Sequence, residues 1–148
     1  MTRYSYPGAP TRRDDGPGAV IFALARAWAA GIIVLIVTEY VQAGVVYEHV
    51  ATPERMESFG GRMLLIHIPN VICLGLAAWA AARLHREPFR HSMPQHLAAA
   101  ICVPVVAQLL NMAVQWEEMA AEGLFMSNVV AAVACVAGYA ADRLQDDA

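Results

Sequence analysis

Polar side chains stand at helical spacing inside otherwise apolar stretches of this chain. Thr38, Glu39 and Gln42 fall in the first stretch, and His67 and Asn70 in the second. Gln108, Asn111 and Gln115 fall in the third, and Ser127 and Asn128 in the fourth. Gln108, Asn111 and Gln115 follow i, i+3, i+7, which is one face of an α-helix, and His67 and Asn70 are i, i+3. A carboxylate and an imidazole in an apolar setting can hold a proton or a cation. Amides beside them can hydrogen-bond a ligand or one another. An ionisable group within a membrane is by default a candidate functional group, which singles out Glu39, with His67 as its nearest titratable partner.

The elements that must position these groups follow from composition. The chain has 148 residues, 58% apolar and 16% charged, with mean hydropathy +0.44. Soluble domains average about 25% charged, so an ordinary soluble domain and a disordered chain are both excluded. The net charge is −3, and all 10 basic residues are Arg. No basic field is present to hold nucleic acid. An Ala-rich, Lys-free composition is what a GC-rich bacterial genome would encode.

A membrane-crossing helix needs about 20 mostly apolar residues. Met63–Ala82, His91–Trp116 and Gly123–Ala141 reach or approach that length without one Asp, Glu, Lys or Arg. Ala19–Tyr47 is interrupted only by Arg26 and Glu39. It follows an 18-residue polar lead and is too long for the apolar region of a removable signal peptide. The expected fold is all-α: a four-helix transmembrane bundle over residues 19–144, with spans near 24–46, 61–84, 96–116 and 123–142. Residues 1–18, rich in Pro, Gly and charge, are expected to be a disordered cytoplasmic tail. Residues 145–148 should be a frayed end.

Arg placement sets orientation. Arg3, Arg12, Arg13, Arg83, Arg86, Arg90 and Arg143 lie in segments that must share one side, against Arg55 and Arg62 on the other. Both termini are therefore expected in the cytoplasm, in a multi-pass protein of the bacterial inner membrane. Trp28, Trp79 and Tyr139 then form an inner aromatic belt, with Tyr47, Phe59 and Trp116 forming an outer one. Arg26 should extend its stem to the inner interface. Reporter fusions after Pro53 and Glu122 should read as external, and one after Glu87 as cytoplasmic. An internal reading at Glu122 would reverse this topology.

With that topology the polar groups all lie in the outer half. The outer loops carry Glu48, Glu54, Glu57, Glu117, Glu118 and Glu122, a rim that favours cations. Thr52 before Pro53 predicts a short outer interfacial helix near Pro53–Ser58 between spans one and two. Gly60-Gly61 should break it before span two, and Gly123 should separate spans three and four. Pro88 and Pro94 should break the inner loop, and Pro69 and Pro104 should kink their helices. Ser127, Ala131, Ala134 and Gly138 form a small-residue stripe that invites a close neighbour.

Glu39, Gln42, His67, Asn70, Gln108, Asn111, Gln115 and Asn128 are the candidate ligand- or ion-binding residues. No catalytic residue, metal site or cofactor is expected. The reading favoured is a small accessory or binding subunit whose polar layer holds a small ligand or cation. Alternatives are a proton or cation transporter or channel-like oligomer using Glu39 and His67, and a quinone- or haem-binding redox subunit. In a fourth reading the amides serve only as interhelical hydrogen bonds. The expected partners are the lipid bilayer and either a homo-oligomer or a larger membrane complex, and no nucleic acid. His85, His91 and His96 cluster near the inner loop, but Arg86 and Arg90 among them argue against a metal. Cys73, Cys102 and Cys135, one per span and without a CxxC, read as buried small residues. No motif specific to one family occurs.

Overall fold

The computed structural model describes residues 16–85, 91–117 and 120–146. The tail before Gly16, Pro88 with its flanking Arg86 and Arg90, Glu118, and the last two residues lie outside the described residues. Helix α1 (Pro17–Gln42) runs into a π-helical segment at Ala43–Tyr47. Short helices α2 (Pro53–Glu57) and α3 (Phe59–Arg62) follow, then a second π-helical segment at Met63–His67. Helices α4 (Ile68–Leu84), α5 (Met93–Val114) and α6 (Ala121–Asp146) complete the bundle. Four continuous helical stretches, Pro17–Tyr47, Phe59–Leu84, Met93–Val114 and Ala121–Gln145, are long and apolar enough to cross a membrane. The protein is an all-α four-helix bundle of the multi-pass membrane type.

Burial explains why this is a membrane architecture. Ile32, Ile33, Ile36, Leu109, Leu110 and Val136 are exposed on the outside. The interior is built from Ala: Ala27, Ala77, Ala78, Ala81, Ala82, Ala99, Ala100 and Ala134 are fully buried. A soluble bundle would bury the large residues and expose charge. In lipid the large chains meet solvent tails, and small residues let backbones approach. α4 is the hub, packing most extensively on α6 and α1 and also on α5. Its contact with α6 is the closest: a Cβ at Gly138 would lie 2.4 Å from the Gly75 carbonyl oxygen. The small-residue stripe of α6 does meet a neighbour there.

Several local signals play out differently from expectation. Pro17 and Gly18 are helical, because a proline is preset for the first turn. Thr52 does cap α2, its hydroxyl accepting from the Arg55 amide at 3.4 Å. The break before span two, however, falls at extended Ser58, not at Gly60-Gly61. Ser58 caps the new helix by accepting from the Gly61 amide at 3.0 Å. Gly61 is required there because a Cβ would collide with the Arg55 carbonyl. Gly123 lies inside α6 rather than ahead of it, and Pro94 opens α5 instead of breaking the loop. Pro69 cannot donate to the preceding turn. The helix answers with the π segment just before it, where the Ile68 amide reaches back to the Met63 carbonyl.

Candidate functional site

The bundle has two unlike ends. At the end holding the termini, alanine lets the helices close. At the end holding α2 and α3, larger polar side chains and the two π segments keep them apart. A cavity of about 560 Å³ opens there among all four long helical stretches. Glu39, Gln42, His67, Asn70, Gln108, Asn111 and Gln115 line it, together with Tyr47, Ser127 and apolar Ile66, Leu74 and Val130. Asn128 is not among the lining residues. It is exposed and donates to the Leu124 carbonyl of its own helix at 2.7 Å. Thr38 is likewise spent locally, its hydroxyl on the Val34 and Leu35 carbonyls at 2.8 and 3.0 Å.

Gln42 is buried and organises one wall. Its amide donates to Asn70 Oδ1 at 2.8 Å and to the Tyr47 hydroxyl at 3.4 Å. Its carbonyl accepts from Cys73 Sγ at 3.1 Å. On the opposite wall Gln108 Nε2 donates to Ser127 Oγ at 3.0 Å, and the Ser127 hydroxyl donates in turn to the Leu124 carbonyl. Asn111 Oδ1 accepts from Gln115 Nε2. These bonds hold α1 to α4 and α5 to α6 in the layer. Glu39 makes no hydrogen bond or ion pair among the described residues. A second hollow, of about 250 Å³, lies against Arg62, Phe59 and Glu122 and shares Ile66, His67 and Gly123 with the first. His67 therefore stands between the two.

No protein-family model, no curated protein and no solved structure matches the chain. The site must therefore be read from its own chemistry.

Beneath the cavity the bundle is closed and apolar. Leu35, Cys73, Leu74, Ala77, Val103, Val130, Ala131 and Ala134 form one buried cluster. Below that plug lies a polar group whose Asp142 the sequence reading missed and whose His85 and His96 it placed only near the inner loop. His85, His96 and Asp142 are fully buried at the termini end. His96 Nε2 meets Asp142 Oδ2 at 3.0 Å, joining α5 to α6. Arg83 of α4 lies 3.9 Å from the other carboxylate oxygen. The His85 and Tyr139 rings flank His96 at 5.7 and 5.5 Å. The sequence held a signal for Asp142. It continues the stripe Ser127, Ala131, Ala134, Gly138 by one more turn, so it shares the helix face that packs on a close neighbour. His91, by contrast, is exposed.

The aromatic and cationic groups near this end also have partners. Arg26 donates to the Leu84 carbonyl at 2.9 Å, satisfying the last turn of α4. Trp28 Nε1 donates to the Ala98 carbonyl at 3.1 Å, and Trp79 Nε1 to Gln145 at 3.2 Å.

Proposed function

We propose that this chain is a small integral membrane binding subunit whose polar cavity, in the outer half of the bilayer, holds a small ligand or cation. One observation carries the reading. Residues from four separate helical stretches converge on one cavity of about 560 Å³, within the roughly 300–1,000 Å³ usual for small-molecule sites. Amides that served only to glue helices would be packed together and would leave no such space. The apolar plug below favours binding over conduction through a single chain, since it offers no polar path from the cavity to the termini end. No hydrogen bond joins Glu39 to His67 among the described residues, so a direct relay between them lacks its first step. On this reading the protein sits in the bacterial inner membrane with both termini inside. It works against the bilayer with further copies of itself or within a larger membrane complex.

Filling the cavity tests this. Asn111→Trp places a large ring on the lining, whereas Leu110→Trp places the same ring on the exposed face. Native mass spectrometry from lipid nanodiscs should show a small bound species on the wild type and on Leu110→Trp, and none on Asn111→Trp. A bare wild-type chain, or the same species on all three, would remove the binding reading.

A further inference from the structure

We infer that the ligand of this cavity is a small organic cation, a quaternary or protonated amine, with Glu39 as its counter-ion. The inference rests on the binding reading above and narrows it.

Charge comes first. Glu39 is the one carboxylate among the lining residues, and no Arg lines the cavity with it. A charged group deep in a bilayer costs about 2.5–3.5 kcal/mol even on insertion scales, and such groups are met by an opposite charge or by a water-filled space. Here the carboxylate is exposed, has no cationic partner among the described residues and borders the cavity. A bound cation completes the pair.

Hydrogen bonding leaves room for a neutral polar group beside that charge. Both amide protons of Gln42 are engaged, one of Gln108 is engaged, and the Ser127 hydroxyl is turned to a backbone carbonyl. Among the described residues Asn70 and Asn111 keep both amide donors, and Gln108 and Gln115 keep one each, which suit a neutral acceptor on the ligand. Nothing in the lining other than His67 could neutralise an anion.

Size and wall character separate an organic cation from a metal ion. A hard divalent ion wants six or more oxygens at roughly 2.0–2.6 Å. No group of three or more metal-capable side chains comes together among the described residues. The walls add Tyr47, Ile66, Leu74 and Val130, which suit the carbon skeleton of an amine. Tyr47 in the wall is an aromatic ring of the kind that attracts a cationic head. The exposed Glu48, Glu54, Glu57, Glu117 and Glu122, set against Arg55 and Arg62, raise the cation concentration at the mouth.

The test uses two probes of one shape. Benzyltrimethylammonium carries the charge, and neopentylbenzene is its neutral isostere. Calorimetric titration of the full chain in nanodiscs should show saturable binding of the cation, at least about tenfold tighter than the isostere, equal to 1.4 kcal/mol. Glu39→Gln should abolish that preference, Glu39→Asp should keep part of it, and Leu110→Ala on the outer face, away from the cavity, should leave it near wild type. Thermal unfolding of each variant separates lost binding from lost fold. Equal binding of both probes would overturn the cation assignment and leave the cavity reading standing. So would loss of the bound species in Asn111→Trp with neither probe binding. If neither probe binds and Asn111→Trp changes nothing, both readings fail.

Discussion

Asp142→Ala is expected to destabilise the bundle by about 3–5 kcal/mol. Asp142 and His96 are fully buried and 3.0 Å apart, on different helices. Removing the carboxylate takes away the acceptor that His96 Nε2 meets, while the desolvation of the buried imidazole is already incurred. Arg83 does not rescue the site, because it lies 3.9 Å from the carboxylate that is lost and its side chain is 43% exposed. A double replacement separates the pair's cost from its contribution. His96→Leu with Asp142→Leu removes both polar groups, and such exchanges are often neutral or stabilising. Reversible unfolding in mixed detergent, followed by Trp fluorescence, should therefore rank the double variant well above Asp142→Ala. A loss under 1 kcal/mol in Asp142→Ala would mean that the pair does not clamp α5 to α6.

The second large effect belongs to Gly138. A Cβ built there meets the Gly75 oxygen at 2.4 Å, the Ala78 Cβ at 2.7 Å and the Trp79 nitrogen at 3.0 Å. Two of these are backbone atoms and cannot swing aside, so α4 and α6 must separate. Overpacking of this kind costs about 1–3 kcal/mol. It outweighs the roughly 1 kcal/mol that Ala gains over Gly in helix propensity. Gly138→Ala should therefore lower stability, and Gly138→Val should lower it further. Gly31→Ala should be milder, since its nearest neighbours lie at 3.2–3.3 Å and need give only slightly. Gly18→Ala, with nothing within 4 Å, should be neutral or slightly stabilising. Unfolding midpoints of the four variants check the order. If Gly138→Ala is as stable as Gly18→Ala, the α4–α6 crossing is looser than the structure has it.

Much of the fold was legible because it depends on local composition. Uninterrupted apolar length identifies three of the four long helices, and long apolar flanks about Arg26 and Glu39 identify the first. Thr52-Pro53 identifies the start of α2, since capping and a preset proline act within one turn. The stripe ending in Gly138 identified a close helix contact, although not which helix would fill it. Glycine was misread at Gly60-Gly61 and Gly123, because a glycine in a helix's first turn and one that ends a helix look alike in sequence. Ser58 supplied the cap that decided the matter.

The candidate site divides in the same way. Seven of its eight residues line one cavity because helical periodicity and the exclusion of polar groups from lipid act on every span. Asn128 shares its helix's polar layer, but its rotation about the helix axis turns it outward. Asp142 was passed over, and His96 was weighed only as a metal ligand of the inner loop, because each lies near a loop or chain end, where charge is normally solvated.

The sequence by itself determined that this chain forms four membrane-length helices, and which level of them carries polar groups. Those properties follow from apolar length and periodicity, which each segment possesses alone. Only the tertiary structure decided that the polar level encloses an open cavity while the alanine level closes around a buried His–Asp pair. That outcome depends on how closely neighbouring helices approach at each height, and this is a property of facing surfaces. Alanine and glycine on α4, α5 and α6 allow contact at one end. At the other, bulkier amides and two π turns hold the helices apart around the cavity that Glu39 borders.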